Sequence, residues 1–153
     1  MEKCFVHLRV HSEYSLVDSL VRLSALVSNV AKMSMPAVGL TDLNNLFGLI
    51  KFYKSARKHG IKPIAGADVL VKYPEQEMPQ QLVLLVQNQI GYKNLTQLIS
   101  KAYLSKENNG AAVIEYSWLV QFNIGLIALS GGVKGEIGTV SYTHLTLPTI
   151  LPV

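Results

Sequence analysis

GLTDLNNLFGLIKFYKSARKHGIKPIAGADVLV, from Gly39 to Val71, passes from strand to helix to strand within one segment. Its first residues belong to a predicted buried strand over Ala37 to Thr41, set off by Pro36. Leu46 to His59 predicts a helix, and Gly60 stands where a left-handed cap is expected. Ile61 to Val71 predicts the next strand, with Pro63 near its start, where a missing donor is tolerated. In GIKPIAG the glycines and proline shape a tight passage from helix into strand.

The alternation continues outward in both directions. Upstream, Phe5 to Val10 reads as a strand with His7, Arg9 and His11 on one face and Val6, Leu8 and Val10 on the other. Ser19 is placed to cap a helix reaching Met33, in which Leu20, Leu23, Leu26, Val27 and Val30 recur at helical spacing. Downstream, Tyr73 to Gln80 reads as a polar loop, Leu82 to Val86 as a strand and Tyr92 to Tyr103 as a helix. Lys106 to Ala111 reads as a loop, Ser117 to Gln121 as a short helix and Gly125 to Leu129 as a strand. Five strands separated mostly by helices predict an α/β fold, a parallel sheet with helical crossovers. His11, Asp42, Asp68, Asn88 and Ser130 fall at predicted C-terminal strand ends, where barrels of this alternating kind carry their chemistry.

Near-half hydrophobic content over 153 residues is enough for one globular core. No apolar run approaches the ~20 residues of a spanning helix, and the N-terminus lacks signal-peptide order. The single Cys4 excludes an intrachain disulfide and fits a reducing cytoplasm, packed as a small hydrophobe in the first strand. The net charge of +4 is weak evidence for nucleic acid. Lys51, Lys54, Arg57, Lys58 and Lys62 gather around one helix, as a solvated face or a phosphate contact would require. Aromatic residues interleaved with them are few, which gives single-strand stacking little support.

FVHLRVHSEYSLVD, residues 5–18, carries the chemistry. Histidines on one face of a strand near its end converge on a metal ion in some proteins and serve as hydrogen-bonded structural residues in others. Spacing alone leaves both readings open. Asp42 in TDLNN sits after a strand, as a site residue or as a helix cap, a role equally open to Asn44 and Asn45. GGVKGEIG, from Gly131, lacks the GK[ST] ending of a phosphate loop. Ser12 and Ser15 have no GxSxG elbow, so no nucleophilic triad is assigned.

Together these motifs resemble the PHP (polymerase and histidinol phosphatase) superfamily, in the branch that opens bacterial replicative DNA polymerase alpha subunits. The resemblance covers Phe5 to about Gly138 and includes LLVQNQIGYKNLTQLISKAY and GLIALSGG. It implies the first part of a distorted seven-stranded (β/α) PHP barrel over residues 1–139. From Val140 onward, VSYTHLTLPTILPV leaves the pattern and resembles the in-frame translation of a sequencing-library transposon end. Residues 140–153 are therefore expected to be non-native, and His144 to mean nothing. A native β-rich tail with His144 as a ligand is the opposing reading.

Active members of the superfamily bind two or three metal ions. They use His-x-His, the Asp of Asp-Gly, a His after Thr-Asp, a Glu after the third strand's Gly, and ligands further on. Here Arg9 stands at the first His, and a guanidinium has no lone pair to give. Leu43 follows Asp42 where His belongs, Ala67 takes the Glu position, and Ser19 replaces the motif glycine. His11, Asp18, Asp42 and Asp68 remain, fewer donors than a polynuclear site requires. No metal and no hydrolysis are expected of this domain, and Arg9 is expected to pair with Asp18 or Asp42, or else to point to solvent.

The resemblance implies that the parent is a DNA-directed DNA polymerase acting on primer-template DNA by two-metal (Mg) phosphoryl transfer in a palm domain outside this chain. It implies that this domain supports the polymerase and docks a proofreading exonuclease subunit alongside other replicase subunits, with no membrane partner. The alternative class is a free-standing metal-dependent phosphoesterase of the histidinol-phosphatase type.

Overall fold

A computed structural model describes residues 5–131, apart from 17, 75 and 106–110. Cys4, the 106–110 portion of the predicted loop, most of the GGVKGEIG segment and the 140–153 tail lie outside the described residues.

The described elements are α1 (Leu23–Lys32), β1 (Ala37–Leu40), α2 (Leu49–Lys58), β2 (Lys62–Lys72), β3 (Gln80–Val86), α3 (Gln89–Leu104), β4 (Val113–Glu115), α4 (Tyr116–Gln121) and β5 (Leu126–Ser130). One sheet runs β1-β2-β3-β5, and β4 pairs with β2. The long β2 organises it. Its first residues run parallel to β1, from Ala37 opposite Lys62 to Leu40 opposite Ala65. Its later residues pair antiparallel with β3 and parallel with β4.

The sheet is therefore mixed, and the expected parallel order with helical crossovers is corrected at two places. β2 and β3 are joined by residues 73–79 alone. A parallel return needs a crossover of roughly a dozen residues or more, so a connection this short makes a hairpin. β5 also runs antiparallel to β3.

The predicted first strand is a second correction. Residues 5–10 form only an isolated bridge, His7 to Val38, outside any named strand. They nevertheless lie along β1, where Gly39 N–H donates to the His7 carbonyl (2.7 Å) and Thr41 N–H to that of Val10 (2.9 Å). A Cβ at Gly39 would stand 2.6 Å from the Leu8 carbonyl oxygen, so this approach requires glycine.

Helix α1 starts four residues after Ser19, and Leu20 is exposed. The Ser19 hydroxyl instead donates to the His11 carbonyl (2.9 Å) and accepts from Val21 N–H (3.2 Å), which ties it to the preceding loop. The remaining helical spacing holds, with Leu23, Val27 and Val30 buried. They pack with Val38, Leu40, Phe52, Ala56 and Ile61 into one core cluster. Gly60 has φ +71°, as its place after α2 anticipates.

A second cluster joins Ala67, Val69 and Val71 of β2 to Leu84, Leu95, Leu98, Ala102 and Ile114. Alternation along β2 turns Ala67 and Val69 toward this cluster and Asp68, between them, to the opposite face. That parity sets up the site.

Candidate functional site

Asp68 is fully buried in the middle of β2. A buried carboxylate is costly unless charged donors reach it. Its Oδ2 accepts from Arg9 Nε (2.8 Å) and Arg9 Nη2 (2.5 Å). His11 Nε2 approaches the same oxygen at 3.0 Å. Arg9 Nη2 also lies 3.5 Å from Gln81 Oε1 on β3. Among the described residues Asp68 Oδ1 has no hydrogen-bond partner.

The other nitrogen of His11, Nδ1, pairs with Asp18 Oδ2. With a carboxylate on each ring nitrogen, the imidazolium donates twice while a neutral ring donates once. The His11 pKa is accordingly raised above 6.5, chiefly by the hydrogen bond to Asp68, against an opposing effect of burial and with further help from Asp18. In its protonated form His11 acts with Arg9 to offset the carboxylates of Asp18 and Asp68.

Asp42 is also buried but belongs to a separate arrangement. Its Oδ1 accepts from Ser12 N–H (2.6 Å) and Ser15 Oγ (2.8 Å), and its Oδ2 from Ser12 Oγ (2.8 Å). Ser15 Oγ in turn accepts from Leu43 N–H (3.0 Å). The carboxylate thus pins the 12–15 turn beneath the 41–44 loop, and that loop is bonded to β2 through Asn44 N–H to the Asp68 carbonyl (2.8 Å) and Asp68 N–H to the Asp42 carbonyl (3.1 Å).

The sequence-derived residues are therefore divided between two arrangements. Arg9, His11, Asp18 and Asp68 meet in one. Asp42 joins Ser12 and Ser15 in the other. Arg9 pairs with Asp68 and not with Asp18 or Asp42, because strand parity aims Asp68 at it. Leu43 lies beside Asp68 in an isolated parallel bridge and offers no side-chain donor. Ala67 faces the α3 core, so the carboxylate that β2 brings to the cluster is Asp68.

None of the candidate caps serves α2, whose N-cap is Gly48 with no side-chain bond. Asn44 adopts φ +52° and accepts from Leu70 N–H (3.2 Å). Asn45 Oδ1 accepts from Phe47 N–H (3.2 Å), closing a local turn. Asn88 caps α3 by accepting from Gly91 N–H (3.0 Å), which removes it from the site. Ser12, Ser15 and Gln81 were not anticipated as site residues; their partners lie tens of residues away and no local spacing signals them.

These donors do not fit a metal ion. Arg9 occupies Oδ2 of Asp68, both His11 nitrogens face carboxylates, and Asp42 already accepts three hydrogen bonds. Among the described residues no group of three or more His, Cys, Asp or Glu side chains is placed to hold a metal.

The PHP domain family profile matches residues 7–146. DNA polymerase III subunit alpha of Pseudomonas fluorescens is 50% identical over 139 residues, covering 90% of this chain and 12% of that protein. Its counterpart in Vibrio cholerae is 51% identical over 135 residues, covering 88% and 12%. The chain thus spans about one eighth of the length of these relatives. An amidohydrolase from Chromobacterium violaceum superposes with a TM-score of 0.52 over 65% of this chain and 33% of that one, at 19% identity, a likeness of fold alone.

Proposed function

The chain belongs to the PHP family, and from this premise we propose that it is the N-terminal PHP segment of a bacterial replicative DNA polymerase alpha subunit, one that has given up metal chemistry. Similarity near 50% to two such subunits supports the parentage. The parent adds nucleotides to a primer end on template DNA in the cytoplasm. Its Mg-dependent phosphoryl transfer belongs to a palm domain outside this chain. The described sheet is the opening portion of a seven-stranded barrel, and the domain supports the polymerase and docks its proofreading exonuclease subunit among the other replicase subunits.

The observation that carries the non-catalytic reading is the Arg9 guanidinium on buried Asp68. A fixed cation holds the charge balance that an active relative would obtain from a divalent ion, and it offers no position for an attacking water. Two assays test the reading. Hydrolysis of a phosphomonoester in manganese or zinc is expected to stay at background, and turnover abolished by His11→Ala would overturn it. Co-purification of a proofreading exonuclease with the parent subunit is expected to require this segment, and retention after its deletion would overturn the docking role.

A further inference from the structure

Helix α3 has two apolar faces. Leu95, Leu98 and Ala102 are buried in the core, while Thr96, Ser100 and Leu104, four residues apart, form a row on another side. A trough lies on either side of that row. One, of about 560 Å³, runs between it and Leu46 and Phe47, with Ile99 and Tyr103 in its wall. The other, of about 430 Å³, is lined also by Lys101 and Phe122. Both stand open: Phe47 is 73% exposed, Tyr103 55% and Leu104 80%.

A row at four-residue spacing with a trough on each side is the surface that another helix packs against, its own rows of side chains filling the troughs. The charge around it has one sign. From Leu43 to Ala67 and from Gln89 to Leu104 the sequence holds seven of the chain's 14 lysines and arginines and none of its ten acidic residues. All seven are exposed. Among the described residues only Lys51 has an acidic partner, Glu13 at 3.4 Å. Lys101 brings a cation to the second trough itself, its Nζ 4.8 Å over the Phe122 ring.

We propose that this groove seats an amphipathic helix of another protein, one that carries an apolar stripe flanked by Asp and Glu. The stripe fills the troughs on either side of Thr96, Ser100 and Leu104, and the carboxylates meet the surrounding cations. An apolar centre within a charged rim is the ordinary anatomy of a protein interface. Cations of one sign around it speed the encounter of separate molecules and bring no such gain to a segment already tethered alongside, which assigns the helix to a second chain. This surface goes beyond the functional reading above, and only the last arm of its test uses the parent proposed there.

The probe is a display library of random peptides about 20 residues long, enough for a helix of about 30 Å, selected on the 153-residue chain. Enriched peptides are expected to carry net negative charge and apolar residues at three- and four-residue spacing. By fluorescence anisotropy, Tyr103→Ser with Leu104→Ser is expected to weaken their binding by about tenfold or more. Leu16→Ser with Leu20→Ser, which removes two more exposed leucines from elsewhere, is expected to change it far less. Lys93→Gln with Lys101→Gln is expected to weaken binding and flatten its dependence on salt. All six positions are exposed, and unchanged melting midpoints will show that the variants fold. No enrichment, enriched peptides that are basic or lack the helical spacing, or equal losses in the two serine variants would overturn the proposal. So would displacement of the peptide by an oligonucleotide at lower concentration than by unlabelled peptide, which would make the surface a nucleic-acid site. Binding lost in the full-length parent would show the groove filled by its own polypeptide and would overturn it as well.

Discussion

Arg9 and Asp68, fifty-nine positions apart, meet with Nη2 2.5 Å from Oδ2, and the aspartate is fully buried while the arginine side chain is 41% exposed. Removing a partner from a fully buried pair costs about 3–5 kcal/mol, and a surface pair contributes at most about 1. With one partner buried and the other open to water, Arg9→Met is expected to lower stability by about 2–3 kcal/mol. Arg9→Met combined with Asp68→Leu is expected to cost less than the sum of the single changes. Urea denaturation of the four proteins measures this coupling.

Asp42 is expected to be at least as sensitive. Asp42→Ala strands Ser12 N–H and two hydroxyls beneath the 41–44 loop, and hydrogen bonds to a charged group contribute about 1.5–3 kcal/mol each. A loss of about 3 kcal/mol or more is expected by denaturation, with faster hydrogen exchange at Ser12 and Leu43. A loss no larger than that of an exposed control such as Lys72→Ala would show that this carboxylate does not pin the turn.

The His11 cluster makes stability depend on pH. Its folded pKa is raised above 6.5 by Asp68 first and by Asp18, so folding favours the imidazolium. The resulting stabilisation is present in full below 6.5 and is lost as pH rises through the raised value. Thermal melts of the chain are therefore expected to fall in midpoint above 6.5 by more than those of His11→Gln. Identical profiles for the two would contradict this sign.

Gly39 is expected to resist substitution. A Cβ there meets the Leu8 carbonyl at 2.6 Å, so Gly39→Ala pushes residues 7–10 off β1, with overpacking of this kind costing about 1–3 kcal/mol. Hydrogen exchange at Thr41, whose amide bonds to the Val10 carbonyl, is expected to accelerate more than exchange at Val83 in the interior of the sheet.

Periodicity made the helical part of this fold legible. Leu23, Val27 and Val30 repeat on one face, and Gly60 marks the end of α2. Strand direction was hidden because the apolar run of β3 looks the same whichever way it lies; the length of the 73–79 connection was the available signal. β4 is too short to leave a pattern. Residues 5–10 alternate like a strand, yet they bond to β1 at so few points that no ladder forms. At the site, the family resemblance singled out Arg9, His11, Asp18, Asp42, Leu43, Ala67 and Asp68, of which Arg9, His11, Asp18 and Asp68 meet while Asp42 bonds Ser12 and Ser15. Pairing depends on which face of β2 turns toward the 9–18 segment, and the aspartate's position between Ala67 and Val69 fixes it only once the core is known.

The central claim is that Arg9 and His11 balance Asp18 and Asp68 without an ion. The direct measurement is the metal content of the purified chain after equilibration with zinc or manganese and gel filtration, together with its melting temperature with and without a chelator. The account predicts substoichiometric metal and an unchanged midpoint. One or more ions per chain, released by the chelator with a fall in the midpoint, would contradict it.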